Sequence, residues 1–194
     1  MKTIKRKVLV VVFMLGTVVN YASNKEDFSQ PMDTKKVKVV FKNVKKGHTL
    51  TIIDEQGNIL HSENATKKGK LTKIFDLSSL KDGKYSIELH KDFRIIVKPF
   101  KVKYNLIIFQ EKLERVLFKP VIRAKEDLIF ISKNNLDNEL VKIILYYNDN
   151  PIYTETVTHE THLNRVYKLD CNEKGNYKAV VISNKKSYVK EFTL

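Results

Sequence analysis

FDLSSLKDGKYSIELH, from Phe75 to His90, closes one run of alternating apolar residues, turns at a glycine and opens another. Leu71, Phe75 and Leu77 share one face of the first run. Tyr85, Ile87 and Leu89 share one face of the second, with Lys84, Ser86 and Glu88 on the other. A period of two over such short runs marks half-buried antiparallel strands. The tyrosine two residues after Gly83 has the form of a tyrosine corner, whose ring fills a sandwich core while its hydroxyl returns to the loop backbone. Gly83 is expected to supply a positive φ for that turn.

A relative of this stretch, YKLDCNEKGNYKAVVI, runs from Tyr167 to Ile182. With the chain laid on itself at a shift of 92, Leu60 meets Ile152, Glu63 meets Glu155, Phe75 meets Tyr167, Gly83 meets Gly175, Tyr85 meets Tyr177 and Phe100 meets Phe192. Upstream, Val37 and Val39 meet Ile129 and Ile131, and a small insertion is expected between Thr49 and Asn58. Glycine-centred turns recur too closely for ordinary helices, leaving only a helical turn in DLSSL or FQEKLER. The fold class read from this is all-β: two tandem immunoglobulin-like antiparallel β-sandwich domains after an N-terminal signal peptide. The expected boundaries are 1–23 for the leader, 24–110 for the first sandwich and 111–194 for the second. The division falls at the charged break from Glu111 to Arg115. Gly175 and Tyr177 are the second copy of the structural corner.

The leader reading rests on Lys2, Lys5, Arg6 and Lys7, followed by an apolar stretch from Val8 to Val19 and small residues near Ala22 and Ser23. That stretch makes about 18 Å of helix against ~30 Å of hydrocarbon, too short for a stable membrane span. Removing it lowers the formal charge from +14 to +10. The basic charge of an exported chain is read first as a solvated lysine-rich surface; the partner is left open, with an anionic cell-envelope glycan or another envelope protein as the alternative and nucleic acid set aside for want of a reading motif. Its expected location is periplasmic, cell-surface or extracellular.

Cys171 is the sole cysteine and falls in a turn, opposite Ser79 in the repeat, so no internal disulfide can form. His159 and His162 in THETH are three apart, outside the spacing of a zinc protease helix. Asp54 to Asn58, DEQGN, shares letters with a calcium loop but lacks its later glutamate, and reads as a hairpin turn. No nucleophile elbow or phosphate-binding loop occurs. The chain is therefore read as non-enzymatic, with no cofactor and no metal. One oddity repeats: Lys73 and Arg165 fall in apolar phase, as do Lys98 and Lys190. Edge-strand lysines explain this, with Pro99 also suited to an edge. The sharper alternative is a basic stripe of these four residues that binds an anionic glycan or lipopolysaccharide.

LTIIDEQGNIL, then IFDLSSLKDGKYSIEL, then a short lysine-bearing strand resembles the immunoglobulin-like modules of exported Bacteroidota proteins, including the C-terminal sorting domain of the type IX secretion system. The resemblance implies a non-enzymatic sandwich and export. The reading it favours is a binding, adhesion or envelope-associated protein, with a sorting role for the terminal module as the alternative.

Overall fold

The computed structural model describes residues 31–33 and 36–194; the expected leader at 1–23 lies outside them. The strands in chain order are β1 (Pro31–Asp33), β2 (Lys36–Val44), β3 (Thr49–Asp54), β4 (Ile59–Asn64), β5 (Gly69–Asp76), β6 (Gly83–His90), β7 (Arg94–Lys103), β8 (Leu106–Phe109) and β9 (Arg115–Phe118). They continue as β10 (Val121–Lys125), β11 (Leu128–Asn134), β12 (Val141–Tyr147), β13 (Asn150–Val157), β14 (His162–Lys168), β15 (Asn176–Ser183) and β16 (Lys186–Thr193). Every pairing is antiparallel, and the described chain is nearly all β, as the alternation requires.

The strands form two pairs of sheets. The first pair has the orders β1-β2-β5 and β4-β3-β6-β7-β8; the second has β10-β11-β14 and β13-β12-β15-β16. Between the first two sheets lie Val39, Phe41, Leu50, Ile87, Leu89 and Phe100; between the second two lie Ile129, Ile131, Ile143, Leu163, Ala179 and Val181. Each set is a separate core, the arrangement that lets a one-faced sheet bury its apolar side.

Local chemistry sets the turns. Asp54 accepts from the backbone N–H groups of Gln56 and Asn58 and from the Asn58 amide, while Gly57 takes φ 92°. The DEQGN segment is thus a hairpin turn. Three two-residue turns, at Tyr104–Asn105, Asn148–Asp149 and Asn184–Lys185, have positive φ at both positions. That conformation matches the twist of the flanking strands, and asparagine tolerates it best of the ordinary residues.

The repeat survives as strand register. Val39 pairs with Lys73 as Ile131 pairs with Arg165, and Tyr85 pairs with Phe100 as Tyr177 pairs with Phe192. The ambiguous stretch is resolved: Leu50 pairs with Leu89, whereas Ile143 pairs with Val181. The second copy therefore has one residue more between its first two long strands and one fewer in the following hairpin.

Pairing in the first unit continues past the division expected at residue 110. The charged break forms a 3-10 turn, Glu111–Leu113, between β8 and β9. Both strands lie along the same edge of β7, β8 beside Phe100–Lys103 and β9 beside Arg94–Val97. A ten-residue strand is longer than either short partner, so the chain covers its edge in two pieces.

Candidate functional site

The two corners form as the motif requires. Tyr85 Oη donates to the Lys81 carbonyl at 2.9 Å, and Tyr177 Oη to the Glu173 carbonyl at 2.8 Å. Their rings stack on Phe100 and Phe192 at 5.4 and 5.7 Å. The expected role of the glycines is corrected: neither Gly83 nor Gly175 has a positive φ, which among the described glycines occurs at Gly47, Gly57 and Gly69. Close approach explains Gly175 instead. A Cβ there would lie 2.7 Å from Tyr147 Cε2 and 3.0 Å from Asn148 Oδ1. At Gly83 the nearest atoms are the Tyr85 ring at 3.4 Å, so that site is looser.

Three of the four repeated cations are held by carboxylates of the chain itself. Lys73 Nζ lies 2.6 Å from Glu63 Oε2. Arg165 donates from Nε to Glu155 at 2.7 Å and from Nη2 to Glu160 at 2.7 Å. Tyr167 Oη donates to the second Glu155 oxygen at 2.5 Å. Burial alone would raise the Glu155 carboxyl; the hydrogen bonds from Tyr167 and Arg165 outweigh it and hold the group below its ordinary value. Glu160 and then Glu155 hold the Arg165 guanidinium above its own. The edge positions expected for Lys73, Arg165 and Lys190 are those observed, on β5, β14 and β16.

Lys98 departs from that expectation. It is 3% exposed, with Nζ 3.0 and 3.2 Å from the Glu114 oxygens and 5.6 Å from the Phe41 ring centroid. Lys98 and Pro99 fall in the gap between the stretches of β7 that pair with β8 and β9, so they sit under a covered edge and not on a free one. Lys190, its counterpart, is exposed and has no acidic partner among the described residues. Sequence reasoning missed the carboxylates. The signal for two of them was present, since Glu63 and Glu155 coincide at the same shift that superposes Lys73 on Arg165.

The second unit also reaches the first. Glu88, 3% exposed on the outer face of β6, accepts from Lys186 Nζ at 2.8 Å and lies 2.9 Å from His90 Nε2. Ile95, Val97 and Leu117 form a small buried cluster on that outer face. They line, with Glu139, Lys186 and Tyr188, an open cleft of about 840 Å³. Burial pushes the Tyr188 phenol up to about 12, assisted by the charge of Glu88.

The remaining candidates are simple. His159 sits in a loop at φ 60°, and His162 begins β14 with its Nδ1 3.0 Å from Thr161 Oγ1. Among the described residues no three His, Cys, Asp or Glu side chains group as metal ligands, and no helix is long and apolar enough to cross a membrane. Cys171 is exposed. Tyr146 lies under Lys178, and Tyr153 packs on Tyr167 at 5.3 Å.

Residues 30–103 match the secretion system C-terminal sorting domain family. The first unit is similar to a sorting domain. This bears out the resemblance carried by the Phe75–His90 stretch, and it implies an exported protein. The match falls on the first unit, whereas the sequence alone places a sorting role in the terminal one. Among solved structures, a biofilm-associated protein's BSP domain aligns at 15% identity with a TM-score of 0.29, over 91% of this chain and 31% of that one. The human OSCAR ligand-binding domain aligns at 9% identity with a TM-score of 0.25, over 86% and 95%. The chain thus spans about a third of the length of the first of these. No curated protein matches it.

Proposed function

We propose that the protein is an exported, non-enzymatic binding module of the cell envelope, delivered by a type IX secretion route. The observation that carries this is the sorting-domain match over residues 30–103. The chemistry of the repeated positions agrees with it: Lys73, Lys98 and Arg165 are spent on internal carboxylates, as in a scaffold, and not gathered around a reacting group. These pairs also weigh against a four-residue basic stripe for an anionic glycan, since each cation would have to leave a carboxylate to serve it.

Fractionation of the native cell tests the proposal. The full-length protein should be found at the surface or in the medium of wild-type cells and accumulate in the periplasm of cells lacking the type IX translocon. The same distribution in both strains would remove the route. Recovery of a hydrolytic activity from the purified protein would remove the non-enzymatic reading while leaving the route standing.

A further inference from the structure

Two residues connect the units. Phe118 ends β9, the last strand of the first unit, and Val121 begins β10, the first strand of the second, so Lys119 and Pro120 are the whole connector. Lys119 is pinned to the first unit twice: its backbone N–H donates to the Phe93 carbonyl at 2.9 Å, and its Nζ donates to the Lys91 carbonyl at 2.6 Å. Pro120 has a fixed φ, which leaves few torsions for the second unit to turn on. Beyond the connector the units meet narrowly. Among the described residues no strand of one pairs with a strand of the other, and the open cleft of about 840 Å³ runs between Thr51, Glu88 and Ile95 on one side and Glu139, Lys186 and Tyr188 on the other. Across it, the 2.8 Å hydrogen bond from Lys186 Nζ to Glu88 Oε2 joins residues 98 apart in the chain. Glu88 is 3% exposed, although it lies outside both cores.

We propose that the chain is a hinge: the second unit pivots at Lys119–Pro120, closed while Lys186 is seated on Glu88 and open when that pair is broken. Small, polar contacts between units of one chain permit relative motion by default, so the balance falls on the few groups that bridge them. The burial of Glu88 makes this bridge decisive. With Lys186 in place the carboxylate is compensated; without it, the closed form keeps an ion from water with no partner from the second unit, and parting the units lets water reach it. A proton on Glu88 releases the same pair from the other side, by removing the charge that draws Lys186 in. Few groups face Glu88. They are His90 from its own strand at 2.9 Å, Lys186 and Tyr188 from β16, and the uncharged Thr51 and Val97 directly opposite on β3 and β7. His90 belongs to the first unit and moves with Glu88, so it does not hold the hinge shut.

The test uses the full chain and Cys171, its sole cysteine, which is exposed on the second unit. Ser62→Cys, at an exposed position of β4, supplies a second site on the first unit, and nitroxide labels on both give the distance between the units by pulsed electron resonance. At neutral pH the doubly labelled chain should give one narrow distance distribution. Lys186→Glu should shift and broaden it, Glu88→Gln should do so in part, and Lys186→Arg should leave it narrow. Acid should broaden it without further substitution, at a pH where the amide signals of Val39 and Ile143 show both cores still folded. Pro120→Gly should widen the distribution only in combination with Lys186→Glu, because the pivot is free only when the pair is broken. Should Lys186→Glu fail to fold, Glu88→Gln carries the same readout. The hinge is overturned if the neutral distribution is already broad, if neither substitution at the pair changes it, or if it stays narrow in acid. It is overturned equally if Pro120→Gly alone opens the closed form, since the connector and not the Glu88 pair would then hold the units.

Discussion

Lys73 Nζ lies 2.6 Å from Glu63 Oε2 and joins β5 of one sheet to β4 of the facing sheet. The second copy repeats the contact with Arg165 and Glu155 at 2.7 Å, again between facing sheets. A sandwich held only by its core is open along this side. The ion pair clasps it where β4 hands the chain to β5, and β13 to β14. Both carboxylates are partly shielded from solvent, so each contact contributes more than a surface pair. Arg165→Ala should lower unfolding stability by about 2 kcal/mol, as expected for a hydrogen bond to a charged group, and Lys73→Ala by about 1 kcal/mol. Urea unfolding of each variant measures this; equal and negligible losses would mean that the clasp is ornamental.

The copies also differ in how the second carboxylate oxygen is met. Tyr167 Oη satisfies the second oxygen of Glu155, whereas its counterpart Phe75 has no hydroxyl, and Glu63 Oε1 is buried without a hydrogen-bond partner. Phe75→Tyr should therefore stabilise the first unit by about 1 kcal/mol, the net contribution of one internal hydrogen bond. Tyr167→Phe should cost the second unit about 1–3 kcal/mol by removing the 2.5 Å hydrogen bond to a partly shielded carboxylate oxygen. Thermal unfolding of the two variants checks both signs, and destabilisation by Phe75→Tyr would show that the extra oxygen has no room.

At the corners, Tyr85→Phe and Tyr177→Phe keep the rings and delete single hydrogen bonds, so each should cost about 1 kcal/mol. Gly175→Ala should cost more, about 1–3 kcal/mol, because its Cβ meets the Tyr147 ring at 2.7 Å, and that ring is fixed by packing on Tyr177 and a bond to the Lys174 carbonyl. Gly83→Ala meets only the Tyr85 ring at 3.4 Å and should be nearly neutral. Denaturant midpoints for the pair separate close approach from backbone strain. A positive-φ requirement would make both substitutions costly; steric crowding makes only one so.

The residues that were legible from sequence are those whose role is local. Alternation gave Ile87 and Leu89 their core face, and glycine-to-tyrosine spacing placed the Tyr85 and Tyr177 hydroxyls over their own loops. Lys98 was misread because its burial depends on β8 and β9 folding back over β7, and no local pattern distinguishes it from Lys190. The function of Gly175 was misread for a like reason: what crowds it is Tyr147, from the neighbouring strand β12. The Glu63 and Glu155 partners lay in the alignment, but joining them to Lys73 and Arg165 needs the knowledge that β4 and β5 occupy facing sheets.

Acid should loosen the contact between the two units. Burial alone would raise the Glu88 carboxyl, but hydrogen bonds from His90 and Lys186 outweigh it and hold the group below its ordinary value of 4.5. A carboxyl with a depressed folded-state pKa stabilises the fold fully above its unfolded pKa and loses that contribution as pH falls through the folded value. The side chains that face Glu88 are His90 on the same strand and Lys186 from β16, with Tyr188 beside them. Wild-type stability should thus decline as pH drops below about 4.5, as Glu88 takes up a proton and its bonds to Lys186 and His90 weaken. Glu88→Gln keeps the shape without the charge. It should be less stable than wild type at neutral pH by about 1–3 kcal/mol and show a shallower decline in acid, so that the two curves converge. Urea unfolding across the acid range, followed by the amide shifts of Lys186–Thr193, gives both curves. If they run parallel, Glu88 does not carry the acid sensitivity of the contact.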